Sequence, residues 1–212
     1  MKDLPMFMTE YGAASLVLRE IPYQGNAYIT IRDSLEPDKL LEDCITVCRA
    51  AGAEKIFATG NDMLQKYPFH TAILRMRCGK ESVGETDAAL FPVQEETLET
   101  WRELYNRKIV SVPNAAWMTQ RDGKEMLSSA EGYFIHREGT LLGIGRVDGD
   151  VIRFVASLKK GAGCDIVRAL CHAVHTDTVQ LDVASTNDKA VNLYKSLGFV
   201  GTTELSRWYR IL

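Results

Sequence analysis

The chain has 212 residues, 46% hydrophobic and 25% charged, with a formal net charge of −3. That balance suits a folded soluble protein of one large or two small domains. It excludes the basic surface that a nucleic-acid backbone needs, and no apolar run approaches the roughly 18 residues that span a bilayer.

In chain order, the start Met1-Lys2-Asp3-Leu4-Pro5 carries no apolar leader, so a cytoplasmic protein is expected. Strands are predicted over 13–20 and 27–32, with Gly25-Asn26 as the turn between them. Pro37 opens a helix to about Ala51, with Leu40, Leu41, Ile45 and Cys48 on one face and Gly52 ending it. Short strands follow over 55–59 and 69–77. The polar, glycine-bearing run from Cys78 to Asp87 reads as a linker, which divides the chain into residues 1–83 and 88–212. Beyond it come a strand at 89–93, a helix over 95–107 with Trp101 and Tyr105 on its core face, and a further helix within 113–129. Three apolar runs, 132–136, 141–147 and 151–156, are separated by the hairpin signals Glu138-Gly139 and Asp148-Gly149-Asp150. The chain closes helix 163–175, strand 178–184, helix 187–197 stopped by Gly198, and strand 199–209. The second half thus reads as an α/β fold, a mixed and mostly antiparallel sheet with helices on both faces.

The five cysteines lack a Cys-x-x-Cys pair, and the histidines do not cluster with other ligands, so no metal site is expected. His172 and His175 share a helix face but lack a third ligand. Gly143-Ile-Gly145-Arg-Val-Asp-Gly149 imitates a dinucleotide fingerprint. It leads into a hairpin and a strand, whereas such a loop must open a helix.

Two other motifs carry chemistry. Lys159-Lys160-Gly161-Ala162-Gly163-Cys164 joins a strand to a helix. Glycines there allow a tight turn and a close ligand approach, and the exposed N–H groups of the helix start attract an anion. A plain strand-to-helix loop with solvated lysines explains the same residues. Asn187-Asp-Lys-Ala190-Val-Asn-Leu193-Tyr194-Lys-Ser-Leu197-Gly198-Phe199 places Asn187 and Tyr194 about two turns apart on one face. By itself this is an N-cap and a packed tyrosine.

Taken together the two motifs resemble the GNAT N-acyltransferases. Asn-x-x-Ala-x-x-Leu-Tyr-x-x-Leu-Gly-Phe is similar to that family's late helix, and Gly161-Ala162-Gly163 to its pyrophosphate loop, although Leu158 stands where the family commonly has Gln or Arg. The resemblance spans residues 88–212. It implies the GNAT acyl-CoA fold, acetyl-CoA as cosubstrate, and transfer of an acetyl group to a primary amine of a small molecule or peptide in a ternary complex. The residues it places at the cosubstrate are Phe154, Val155, Ala156, Lys160, Gly161, Ala162, Gly163, Cys164, Asn187 and Tyr194. Backbone N–H groups of 154–156 would stabilise the oxyanion, and Tyr194 would protonate the leaving thiolate. Asp150, Glu138, Asp182 and His136 stay open as the base. A non-catalytic acyl-CoA sensor keeping the fold is the alternative, and a homodimer is left open.

The first half echoes the second. Ala58-Thr-Gly-Asn61-Asp62 with Tyr67 is similar to Ala184-Ser-Thr-Asn187-Asp188 with Tyr194, so residues 1–83 read as a degenerate GNAT-like half. Its helix entry, Leu35-Glu36-Pro37-Asp38, offers two acids and no glycine, so no CoA site is expected there.

Overall fold

The computed structural model describes residues 3–212; Met1 and Lys2, which begin the segment expected to carry no leader, lie outside them. In chain order the elements are β1 (Leu4–Thr9), β2 (Gly12–Val17), α1 (Ile21–Gln24), β3 (Asn26–Ser34), α2 (Pro37–Ala50), β4 (Lys55–Thr59) and β5 (Phe69–Gly79). Then come β6 (Ala89–Pro92), α3 (Leu98–Ile109), α4 (Gln120–Ser128), β7 (Gly132–Arg137), β8 (Thr140–Asp148), β9 (Val151–Ser157), α5 (Gly163–Ala173), β10 (Thr178–Ala184), α6 (Asp188–Ser196) and β11 (Val200–Arg210). Short 3-10 turns cover Asp62–Lys66, Lys80–Ser82 and Glu95–Thr97.

The chain forms two compact units. One runs to Ile73 and takes in Glu204–Leu212; the other is Leu74–Thr203. This differs from the expected division at 83/88. The presumed linker is folded into the second unit: Cys78 and Val83 are in its core, and the Lys80 ammonium donates to the carbonyls of His172 and Val174 at 3.3 and 2.6 Å. A polar sequence with two glycines can pack when its few apolar residues point inward. The last nine residues belong to the first unit, because β11 pairs there with β4 through Tyr209↔Ala58 and Arg210↔Phe57.

In the first unit the strand order is β1-β2-β3-β4-β11. All neighbours are antiparallel except β3 and β4, which run parallel from Asn26↔Lys55 to Thr30↔Thr59. Its core puts Leu40, Leu41, Cys44 and Cys48 of α2 against Leu16, Ile29, Ile31 and Ile56 of the strands. The i, i+4 spacing of those helix residues makes the apolar stripe. Gly25 ends α1 with φ 69°, a left-handed cap rather than the simple turn expected.

In the second unit the order is β5-β10-β9-β8-β7-β6, with β9 and β10 parallel and the hairpins β6/β7, β7/β8 and β8/β9 antiparallel. Two cores form. One gathers Ile166, Val167, Leu170 and Cys171 of α5 with Tyr194, Leu197 and Phe199. The other gathers Trp101 and Met126 of α3 and α4 with Ile144 and Ala156. Trp101 is fully buried and its indole N–H donates to the Tyr133 carbonyl at 3.0 Å. The false fingerprint has a packing cause. A Cβ on Gly143 would come 2.5 Å from Ile166, and one on Gly145 2.4 Å from Leu170. The glycines let α5 lie close on β8.

Candidate functional site: the wedge between β9 and β10

Parallel pairing of β9 with β10 covers Val151↔Gln180 and Ile152↔Leu181 and then stops, although β9 runs on to Ser157 and β10 to Ala184. The cause lies on the other side of β9. Against β8, Arg146 faces Phe154 while Val147 faces Ile152, so Arg153 is an extra residue, a β-bulge. A bulge bends its strand and leaves a residue out of the ladder. Here it follows directly on the last parallel pair, and the strands part beyond it.

A cavity of about 110 Å³ lies in the gap, lined by residues that include Val112, Arg153, Phe154, Val155, Asp182, Asn187 and Tyr194. Each wall has a local reason. The Phe154 ring is set by Tyr105, 4.4 Å away between centroids. Asn187 caps α6, its side-chain oxygen accepting from the Ala190 N–H at 3.3 Å. Tyr194, 8% exposed, packs on Phe199. Burial, then the nearby Cys171, pushes its phenol up to about 12, so the hydroxyl keeps its proton through the neutral range. The Asp182 carboxylate is held by the Arg75 guanidinium in two bonds of 2.8 and 2.9 Å.

At the carboxyl end of β9 the chain turns into α5. The N–H groups of Leu158 and Lys159 both donate to the Leu142 carbonyl, at 2.8 and 3.2 Å, and the Ala162 N–H donates to the Lys159 carbonyl at 3.3 Å. Gly161 sits inside that turn with φ 85°, a conformation disfavoured for L side chains, and an added Cβ would meet nothing within 4 Å. Gly163 is different: a Cβ there would come 3.0 Å from Leu193, so its smallness lets α5 begin against α6. No side chain caps the start of α5. The carboxylate of Asp165 in its first turn is engaged by Arg137 at 2.8 Å. Lys159 and Lys160 are exposed beside the turn. An uncapped helix start, an open glycine and two lysines are groups that could hold an anion such as a diphosphate.

The structure therefore brings Phe154, Val155, Asn187 and Tyr194 together on one cavity, and puts Lys160, Gly161, Ala162, Gly163 and Cys164 on the adjoining loop and helix start. Ala156 lies apart, buried in the core under α3 and α4. Of the four candidate bases, Asp182 lines the cavity. Glu138 occupies an exposed left-handed turn, the Asp150 carboxylate accepts from the Gln180 amide at the β8/β9 hairpin, and His136 packs edge-on to Phe91. Val112 and Arg153 were not legible as wall residues, since one depends on how the α3–α4 loop falls and the other on strand register. In that same loop Asn114 has φ 59°, and neither its amide oxygen nor its nitrogen, both buried, has a hydrogen-bond partner. An unsatisfied buried amide on a left-handed backbone is the kind of departure that accompanies ligand sites.

No family model and no curated protein sequence matches the chain. Solved structures do. A functionally unknown conserved protein from Staphylococcus epidermidis aligns with TM-score 0.61 at 12% identity, over 96% of this chain and 91% of that one. A GCN5-related N-acetyltransferase from Sphaerobacter thermophilus aligns with TM-score 0.61 at 10% identity, over 93% and 75%. A tandem GNAT protein from the clavulanic acid biosynthesis pathway aligns with TM-score 0.50 at 14% identity, over 94% and 78%. Over nearly its full length the chain has the GNAT acetyltransferase fold.

Proposed function

We propose that the second unit transfers the acetyl group of acetyl-CoA to a primary amine of a small molecule or peptide, by direct attack with both substrates bound. The observation that carries this reading is the parting of β9 and β10 at the Arg153 bulge, with Tyr194 on the cavity between them. Acetyl-CoA, when bound, supplies a thioester carbonyl already activated toward an amine.

The chain's own groups divide the remaining work. The uncapped start of α5, with Gly161, Lys159 and Lys160, binds the diphosphate. Backbone N–H groups of β9 that the bulge and the parting withdraw from its neighbours face the carbonyl oxygen as negative charge builds there. Asp182 draws in the acceptor's ammonium, whose ordinary pKa is about 10, and passes its proton to solvent. As the N–C bond forms and the C–S bond breaks, the Tyr194 hydroxyl gives its proton to the departing sulfur, and the second proton lost by the attacking nitrogen restores the phenol. A phenol that stays protonated up to about 12 has its proton available for that role at neutral pH.

The first unit repeats the order hairpin, bulged arginine, helix, parallel strand and Asn-capped turn, which supports its origin as a GNAT-like half without a CoA site. The test is thiol release from acetyl-CoA with a panel of amino acid esters, polyamines and short peptides, with the acetylated product identified by mass. Release matched by N-acetylated product is expected. A raised melting temperature with acetyl-CoA and no release with any amine would favour the non-catalytic sensor. No effect of acetyl-CoA on either measurement would end both readings.

A further inference from the structure

A cavity of about 780 Å³ lies in the first unit, at the carboxyl ends of β3 and β4 and along the last part of β11. We propose that this groove is a binding site for a free α-amino acid, recognised as a zwitterion by Arg32 and Asp62.

The charges on its walls carry the argument. Arg32, Asp62, Glu204 and Arg207 all line the groove. Glu204 and Arg207 satisfy each other through two bonds of 2.9 and 2.7 Å. That leaves one cation and one anion uncommitted. The Arg32 guanidinium spends only its Nε–H, on the Ser15 hydroxyl at 3.0 Å, and Asp62 has no hydrogen bond or ion pair among the described residues. Two opposite charges with spare hydrogen-bonding capacity match a ligand carrying both an ammonium and a carboxylate. Beside them Thr59, 6% exposed, and the Gln65 amide suit a small hydrophilic molecule.

The walls are built rather than incidental. Arg32 is the extra residue of a bulge, since Ala13 faces Asp33 while Ala14 faces Ile31, and bulges re-aim side chains at sites. Gly60 has φ 97°, and a Cβ there would stand 2.3 Å from the Ile31 carbonyl oxygen. The loop carrying Asp62 is thus pressed onto the end of β3, and the Asn61 side chain pins it by accepting from the Met63 N–H at 3.0 Å. A nucleotide is the wrong ligand. The start of α2 is Glu36-Pro37-Asp38, where two carboxylates oppose a diphosphate. The parallel ladder stays closed to Thr30↔Thr59, so no arm can enter between the strands.

The experiment is calorimetric titration of the full chain with L-serine, L-glutamate, L-lysine and L-phenylalanine, and with acetate and methylamine as single-charge controls. At least one amino acid should bind saturably. Arg32→Gln and Asp62→Asn should each weaken it by about 10- to 100-fold, the loss expected for a bond to a charged group. Acetate and methylamine should not substitute. Both side chains are exposed, so the unliganded melting temperature should stay at the wild-type value; if either variant shifts it, Thr59→Val takes its place, with the same weakening expected. Acetyl-CoA should bind both charge variants as it binds wild type, which keeps the result separate from the acyltransferase reading. Absence of binding by all four amino acids, indifference to the substitutions, or equal binding of acetate alone would overturn the proposal.

Discussion

Each unit has a parallel pair of strands, and the two pairs behave differently. In the first unit β3 and β4 stay bonded over five residue pairs, ending at Thr30↔Thr59, and the bulge at Arg32 comes two residues later with only two residues of strand to follow. In the second unit the bulge at Arg153 comes directly after the second and last parallel pair, and four residues of β9 remain beyond it. The same device, one extra residue opposite a hairpin partner, opens a wedge in one place and merely finishes a strand in the other. The helix starts differ in the same sense. Neither has a side-chain cap, but α5 begins at a glycine beside two lysines, and α2 at a proline between two acids. Position of the bulge and charge at the helix start are the two features that separate the units, and the proposed acyl-CoA site rests on both.

The sharpest way to break this contrast is to remove one oxygen from the wedge. Tyr194→Phe should lower kcat by about 100- to 1000-fold, the share of a general acid, while acetyl-CoA affinity changes by about twofold or less. Steady-state kinetics with a separate binding titration checks it; equal loss in both would make Tyr194 a packing residue. The next effect is electrostatic. Lys159→Gln with Lys160→Gln should weaken acetyl-CoA binding by about tenfold at low salt, and the difference should shrink as salt screens it. A salt-independent change would mean the lysines are solvated bystanders.

Burial of thiols gives each unit its own alkaline limit. Desolvation pushes Cys44 of the first unit and Cys171 of the second up to about 12, and Cys48 to about 11, from an ordinary 9. Above pH 9 the unfolded chain has released these protons while the folded chain still holds them. Stability is therefore whole below pH 9 and declines from there toward 12, by about 1.4 kcal/mol per thiol at pH 10. Thiol labelling resolves the units: saturating acetyl-CoA should slow labelling of Cys171 and leave Cys44 and Cys48 unchanged, because only the second unit gains a ligand.

What could be read in advance followed from local chemistry. The late helix was visible because Asn187 caps it and Gly198, with φ 89°, can end it. Strand β10 came out at its observed bounds because its apolar residues alternate between turn signals. β1 was not foreseen. It is an edge strand containing Pro5, with Met6 and Met8 exposed, so it lacks the inward alternation that marks a half-buried strand. α1 was hidden by its brevity and by Pro22. The wedge itself was out of reach. A bulge at Arg153 is a relation between β9 and β8, set by register and not by any run of residues, and the return of residues 204–212 to the first unit is likewise a long-range pairing. The site residues read from motif were local ones; the wall residues Val112 and Arg153 needed the fold.

The smallest effect separates the two units most directly, because it makes one substitution in both. Asn61 and Asn187 follow the parallel strands β4 and β10, and each accepts a backbone N–H, from Met63 at 3.0 Å and from Ala190 at 3.3 Å. As caps they are equivalents, so Asn61→Ala and Asn187→Ala should each cost about 1 kcal/mol in denaturant unfolding. Function should divide them. Asn187 lines the wedge, so its loss should loosen the start of α6 beneath the acyl-CoA arm and weaken acetyl-CoA binding severalfold. Asn61 anchors the loop that carries Asp62, and its loss should leave acetyl-CoA binding untouched. If both substitutions lowered stability and neither touched acetyl-CoA, the repeated asparagine would be a folding signal in both units, and the claim on the wedge would fall back on the Arg153 bulge and Tyr194.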